Sequence, residues 1–151
     1  ALTQALGAMT ATPDGGFLVA KGTASPNGTV EKFNSSGARV TSGANPYINN
    51  PAGTCATSQT RFSGLAIGPS NNIFAAHAAA STNNQIDIIS ANGYSVAGDC
   101  LGGVDGPSAN HIPTRLMYHS VTGKMLVAYA NNTGPVHQIY VYNVTASTIN
   151  G

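Results

Sequence analysis

One stretch of sequence occurs in this chain three times, and that repetition limits its fold to a row or ring of like units. The segments GAMTATPDGGFLVAKG, SGLAIGPSNNIFAAHA and RLMYHSVTGKMLVAYA superpose on an apolar run. That run brings Phe17, Ile73 and Met125 into register, 56 and 52 residues apart. A turn precedes each run: Pro13-Asp14-Gly15-Gly16, Pro69-Ser70-Asn71-Asn72 and Val121-Thr122-Gly123-Lys124. Proline presets φ for a turn's second position, and Gly or Asn tolerates positive φ. Before each turn the alignment makes Met9, Leu65 and Met117 equivalent. After each run a polar loop leads to GTVEKFNSSG, NQIDIISANG or HQIYVYNVTA, where Val30, Ile86 and Ile139 match, 56 and 53 residues apart. Further turns follow at Ser35-Ser36-Gly37 and Ala91-Asn92-Gly93.

Alternation makes these segments strands. In GFLVAKG, Phe17, Val19 and Lys21 share one face while Leu18 and Ala20 share the other. In QIYVYNV, Ile139 and Val141 oppose Tyr140 and Tyr142. Gly and Pro total 26, and no window holds a capped 3.6-residue period. The alanine-rich run Ala75 to Ala80 lies where its counterparts are strands, so it reads as strand too. Two long connectors, Thr41 to Arg61 and Ala97 to Pro113, exceed ordinary loop lengths; such loops carry function or hide a short extra strand. The 151 residues make one all-β domain of three antiparallel β-meander repeats, about 6–40, 62–97 and 114–149.

The order of strand, PDG turn, FLVA-type strand, polar loop and GTVEKFNSSG strand resembles one blade of a β-propeller, of the YVTN and NHL kind. The likeness spans most of the chain, although its 52 to 56-residue spacing exceeds the usual ~40 to 50 residues of such blades. Propellers close with about 4 to 8 blades. The resemblance therefore implies that three units leave open flanks, completed by homo-oligomerisation, for instance two copies giving six blades. Some small sugar-binding propellers close in this way, which implies a lectin-like role here.

Charge is scarce: six Lys and Arg and five Asp and Glu make 7% of the chain, against a usual ~25%. Solubility then rests on Asn, Ser, Thr and Gly, as in secreted, cell-surface and assembly-forming proteins. Disorder is excluded, because disordered chains pair high charge with low hydrophobicity and this one is 42% hydrophobic. The 22 alanines and the absence of Trp point to a small-residue core. Basic residues at 21, 32, 39, 61, 115 and 124 form no run, so nucleic acid is not an expected partner. No stretch reaches the ~18 to 20 apolar residues of a membrane span. The lack of an initiator Met or leader pattern fits a mature or excised end, and the expected location is extracellular or cell-surface. There Cys55 and Cys100 can pair, closing a loop worth roughly 3 to 4 kcal/mol. Asn27, Asn34, Asn131 and Asn143 stand in Asn-x-Ser/Thr sequons and are candidate glycosylation sites.

No catalytic residues are assigned. The acids Asp14, Glu31, Asp87, Asp99 and Asp105 include no motif-marked pair of the kind a glycosidase needs. Asp14 sits in a turn, and Glu31 and Asp87 fall on equivalent, outward strand positions. His77, His111, His119 and His137 match no zinc spacing, and no G-x-S-x-G elbow exists, so no metal or cofactor is expected. One positional set remains. Lys21, His77 and Tyr129 occupy the same strand end in the three repeats, where residues cluster on one rim and can hydrogen-bond and stack on a sugar. The leading expectation is a non-catalytic extracellular or cell-surface binding or adhesion protein that recognises glycans. The alternatives are a structural subunit of an extracellular filament or surface layer, and a secreted hydrolase.

Overall fold

A computed structural model describes residues 6–21, 29–40, 47–49, 59–79, 85–93, 99–108, 110–131, 133–134 and 137–151. Strands β1 (Leu6–Ala11), β2 (Phe17–Lys21), β3 (Thr29–Phe33) and β4 (Ile48–Asn49) form a first sheet. Strands β5 (Gln59–Ile67), β6 (Ile73–Ala79), β7 (Gln85–Ile89) and β8 (Cys100–Asp105) form a second. Strands β9 (His111–His119), β10 (Lys124–Asn131), β11 (Gln138–Val144) and β12 (Ile149–Asn150) form a third. Every sheet is an antiparallel meander in chain order. Pro69–Asn71 forms a 3-10 turn between β5 and β6. No described helix is long and apolar enough to cross a membrane.

The long connectors supply fourth strands: β4 lies inside the first connector, and β8 inside the second. The alanine run is strand through Ala79, because Ala75 and Ala76 are paired on both sides and fully buried. Turn chemistry follows the residues that carry it. Asp14 accepts hydrogen bonds from its neighbours Thr12 and Gly16, while Ser70 and Asn71 take positive φ in the equivalent turn.

Register is shared among the sheets. Ala20 pairs with Val30, Ala76 with Ile86, and Ala128 with Ile139. A β-bulge interrupts the first ladder at the same level each time, leaving Gly7, Ser63 and Thr114 as the extra residues. Ser63 and Thr114 donate their hydroxyls to the carbonyls of the equivalent residues Ala76 and Ala128, at 3.3 and 3.1 Å. The match of Met117 with Met9 and Leu65 is corrected. Met9 pairs with Val19 and Leu65 with Ala75, but Leu116, not Met117, pairs with Val127. The third hairpin has six residues between Tyr118 and Met125 where the others have five. That one extra residue moves Met117 to the opposite face.

The sheets stack in chain order, with β5 lying against both β1 and β9. Each sheet thus has a leading face toward the sheet before it and a trailing face toward the next. Leu18, Ala20 and Val30 on the first trailing face pack with Leu65, Ile73 and Ala75 on the second leading face. Phe74, Ile86 and Ile88 on the second trailing face pack with Met125, Val127 and Tyr142 on the third leading face. The first strands of neighbouring sheets lie in close contact. A Cβ on Gly7 would stand 2.4 Å from the backbone oxygen of Phe62, so a side chain there would push two sheets apart. Burying each large apolar side chain in these layers contributes roughly 1.5–3 kcal/mol.

Hydrogen bonds also cross the layers at the turn end. The Tyr47 hydroxyl donates to Ala91 O, the Ala91 N–H donates to Asn72 Oδ1 at 3.1 Å, and Asn72 Nδ2 donates to Ala146 O at 2.8 Å. Ile86→Ala should cost about 2–5 kcal/mol in a urea-unfolding measurement, whereas Val121→Ala, in an exposed turn, should stay within about 0.5 kcal/mol. Similar losses at both positions would contradict the layered core.

Candidate functional site

Lys21, His77 and Tyr129 fall at one register level, at or near the ends of the second strands, and each meets a partner on the third strand. Lys21 forms an ion pair with Glu31, which Arg39 also contacts. His77 Nε2 lies 2.9 Å from Asp87 Oδ2, with the Phe62 ring set edgewise at 6.3 Å. Tyr129 places its ring edgewise on Tyr140 at 5.3 Å, and its hydroxyl lies 3.0 Å from that of Tyr142. Register makes Glu31, Asp87 and Tyr140 equivalent, lying opposite Val19, Ala75 and Val127.

These are buried positions. His77 and Tyr129 have 0% and 1% exposure, and Lys21 keeps partial access while held by Glu31. The outward orientation expected for Glu31 and Asp87 is corrected: they are 1% and 4% exposed, facing neighbouring strands rather than solvent. Burial raises the Asp87 carboxyl above its ordinary value, with His77 opposing the shift. Burial, reinforced by Tyr142, pushes the Tyr129 phenol far up, so it stays neutral. The trio therefore ties second strands to third strands.

A more open arrangement lies at the turn end, between the first and second sheets. A cleft of about 340 Å³ is floored by Leu18, Ile67 and Ile73 and walled by Asp14, Lys32 and Tyr47. The β1–β2 turn presents Asp14, β3 presents Lys32, and the residue just before β4 presents Tyr47. Asp14 Oδ2 lies 2.8 Å from Lys32 Nζ, and that ammonium stands 5.3 Å from the centre of the Tyr47 ring. The hydrogen bond from Lys32, then those from Thr12 and Gly16, hold the Asp14 carboxyl well below the usual carboxylate range. Asp14 in turn raises Lys32, and burial raises Tyr47. Gly93 permits the Tyr47 approach: it has φ +88°, and a Cβ there would sit 2.3 Å from Tyr47 O.

The cleft thus offers a fixed carboxylate acceptor, an ammonium, a neutral aromatic ring and an apolar floor. Asp14 is its one carboxylate among the described lining residues, so no acid–base pair for glycosidic cleavage is assembled there. Asp14 reads from the sequence as a turn residue, and no motif there marks Lys32 or Tyr47. The signal was the single tyrosine in the first long connector.

The remaining candidates are dispersed. His111 pairs with Ser108 and Gln138 at 2.6 and 3.0 Å, and His119 with Thr122 at 2.9 Å. Among the described residues no three His, Cys, Asp or Glu side chains converge to hold a metal. Asn34 and Asn143 are exposed and Asn131 is half-buried; all three use Oδ1 as an acceptor, which leaves Nδ2 for a glycosidic bond. Asn27 lies outside the described residues, as does Cys55, and with it the pairing to Cys100. No protein-family model matches the chain, and no curated protein matches it.

A pH dependence follows from Asp87. Its folded carboxyl titrates above the ordinary value of 3.8, so between the two values the folded chain holds a proton that the unfolded chain has lost. Stability is then fullest below the ordinary value and falls as pH rises through the raised one. Urea titrations from acid to neutral pH should show the stability of Asp87→Asn gaining on the parent as pH rises, by at most about 1.4 kcal/mol per pH unit. A gap independent of pH would contradict the assignment.

Proposed function

We propose that this chain is a non-catalytic extracellular or cell-surface binding protein that recognises neutral glycans in the cleft between its first and second sheets. The observation that carries this reading is the Asp14–Lys32–Tyr47 wall. A pinned carboxylate accepts hydrogen bonds from sugar hydroxyls, an aromatic face packs on sugar C–H groups, and the adjacent ammonium balances the charge. The scarcity of charge elsewhere and the sequons support an exported protein. Three stacked meanders with neighbouring first strands support the likeness to β-propeller blades, closed by association of copies. The bridge between Cys55 and Cys100 belongs to the same proposal. The exposed apolar face of the third sheet favours a second reading, a subunit of an extracellular filament or surface layer.

A glycan array tests the first reading. The assembled parent protein should retain at least one neutral glycan, and Asp14→Ala should weaken that binding about tenfold or more, the range for a charge-assisted hydrogen bond. Asp14 is exposed at a turn, so the variant should keep its fold. An empty array, or binding indifferent to both Asp14→Ala and Tyr47→Ala, would overturn the proposal.

A further inference from the structure

Register sorts the three trailing faces into equivalent positions. Leu18, Phe74 and Leu126 form one set, and Val30, Ile86 and Ile139 form another. In the first two sheets these residues are fully buried beneath the next sheet. In the third, Ile139 is 70% exposed, and its neighbours Val141 and Met117 are 56% and 54% exposed. Met117 and Val141 lie directly opposite Leu126 on either side, so the exposed side chains form one continuous apolar band. Such a contiguous band marks an interaction surface.

Each chain also carries the kind of surface that covers such a band elsewhere in the stack. Phe17 and Phe33 on the first leading face hold the register positions of Met125 and Tyr142, which cover Phe74 and Ile88 inside the molecule. Their rings stack at 5.0 Å, and Met9 beside them is 68% exposed. Glu31 on that face is already capped by Lys21 and Arg39, so the accessible part is the turn end. That is the end where Met117, Leu126 and Val141 also lie.

We propose that the trailing face of the third sheet docks on the leading face of the first sheet of a second copy, head to tail. Leu126 and Val141 of one copy then seat against Phe17 and Phe33 of the next. The two faces differ, so the contact is heterologous, and copies close into a ring or run on as a filament according to the rotation at each contact. Arg115 is the departure from the internal pattern. It stands where Ala8 and Gly64 are small, so its guanidinium must lie toward the sheet edge. Arg115 donates to the carbonyl of Thr114 at 2.7 Å. The proposal rests on the stacked-meander reading above and is independent of the glycan.

Light scattering on the full chain should give a multiple of the single-chain mass. Ile139→Glu and Met9→Glu should each be monomeric, because each destroys one of the two faces. Mixed together they should form a 1:1 dimer and nothing larger, since one intact contact remains. A monomeric parent, an Ile139→Glu protein that still assembles, or a mixture that stays monomeric would each overturn the proposal. Circular dichroism checks the fold of each variant, and Val141→Lys replaces Ile139→Glu should the latter unfold. A monomeric parent that binds glycan would sink the docking alone. An assembled parent blind to glycans would sink the glycan reading alone.

Discussion

The whole arrangement depends on how closely the first strand of one sheet can approach the first strand of the next. At Gly7 the backbone of the second sheet fills the space a side chain would need, and at Gly64 the Leu116 side chain stands 3.4 Å from where a Cβ would lie. Layers that near each other admit only small residues near the inner strands and well-fitted apolar ones farther out. The abundance of alanine follows: Ala20, Ala75 and Ala76 are fully buried where larger side chains would force the sheets apart. So does the scarcity of charge, because the middle sheet is covered on both faces and its ladders have little surface on which to place ions.

Where ionisable groups do enter these layers, they enter as pairs. The Lys21–Glu31 ion pair and the His77–Asp87 hydrogen bond sit at equivalent places, and the third sheet substitutes a tyrosine cluster. Desolvating a charge pair costs about as much as the pair returns. The aromatic version in the third sheet serves the same position without that cost. What the pairs share is geometry: each links one second-strand residue diagonally to the third strand and so opposes a register slip.

Much of this fold could be read from the sequence, because alternation and turn residues are local signals. The hairpin turns, the strand faces and the strand character of the alanine run all follow from residues close together in the chain. The slip at Met117 had no such signal, since Leu116 and Met117 are both apolar and a hairpin one residue longer looks the same. The fourth strands were hidden in long polar connectors whose pairing depends on the neighbouring strand. The cleft was illegible for a different reason. Asp14, Lys32 and Tyr47 come from a turn, a strand and a connector, and only the packing of two sheets brings them together. The strand-end trio was visible as an alignment, but burial is a property of the stacked layers and no repeat announces it.

The line of hydrogen bonds from Tyr47 through Ala91 and Asn72 to Ala146 ties one wall of the cleft to a turn two sheets away. An occupant that wedges against the tyrosine strains this tether before it can widen the opening. The stiffness of a small amide relay therefore limits how far the gap can widen, and under the proposed glycan reading guests would be sorted by thickness as well as by chemistry.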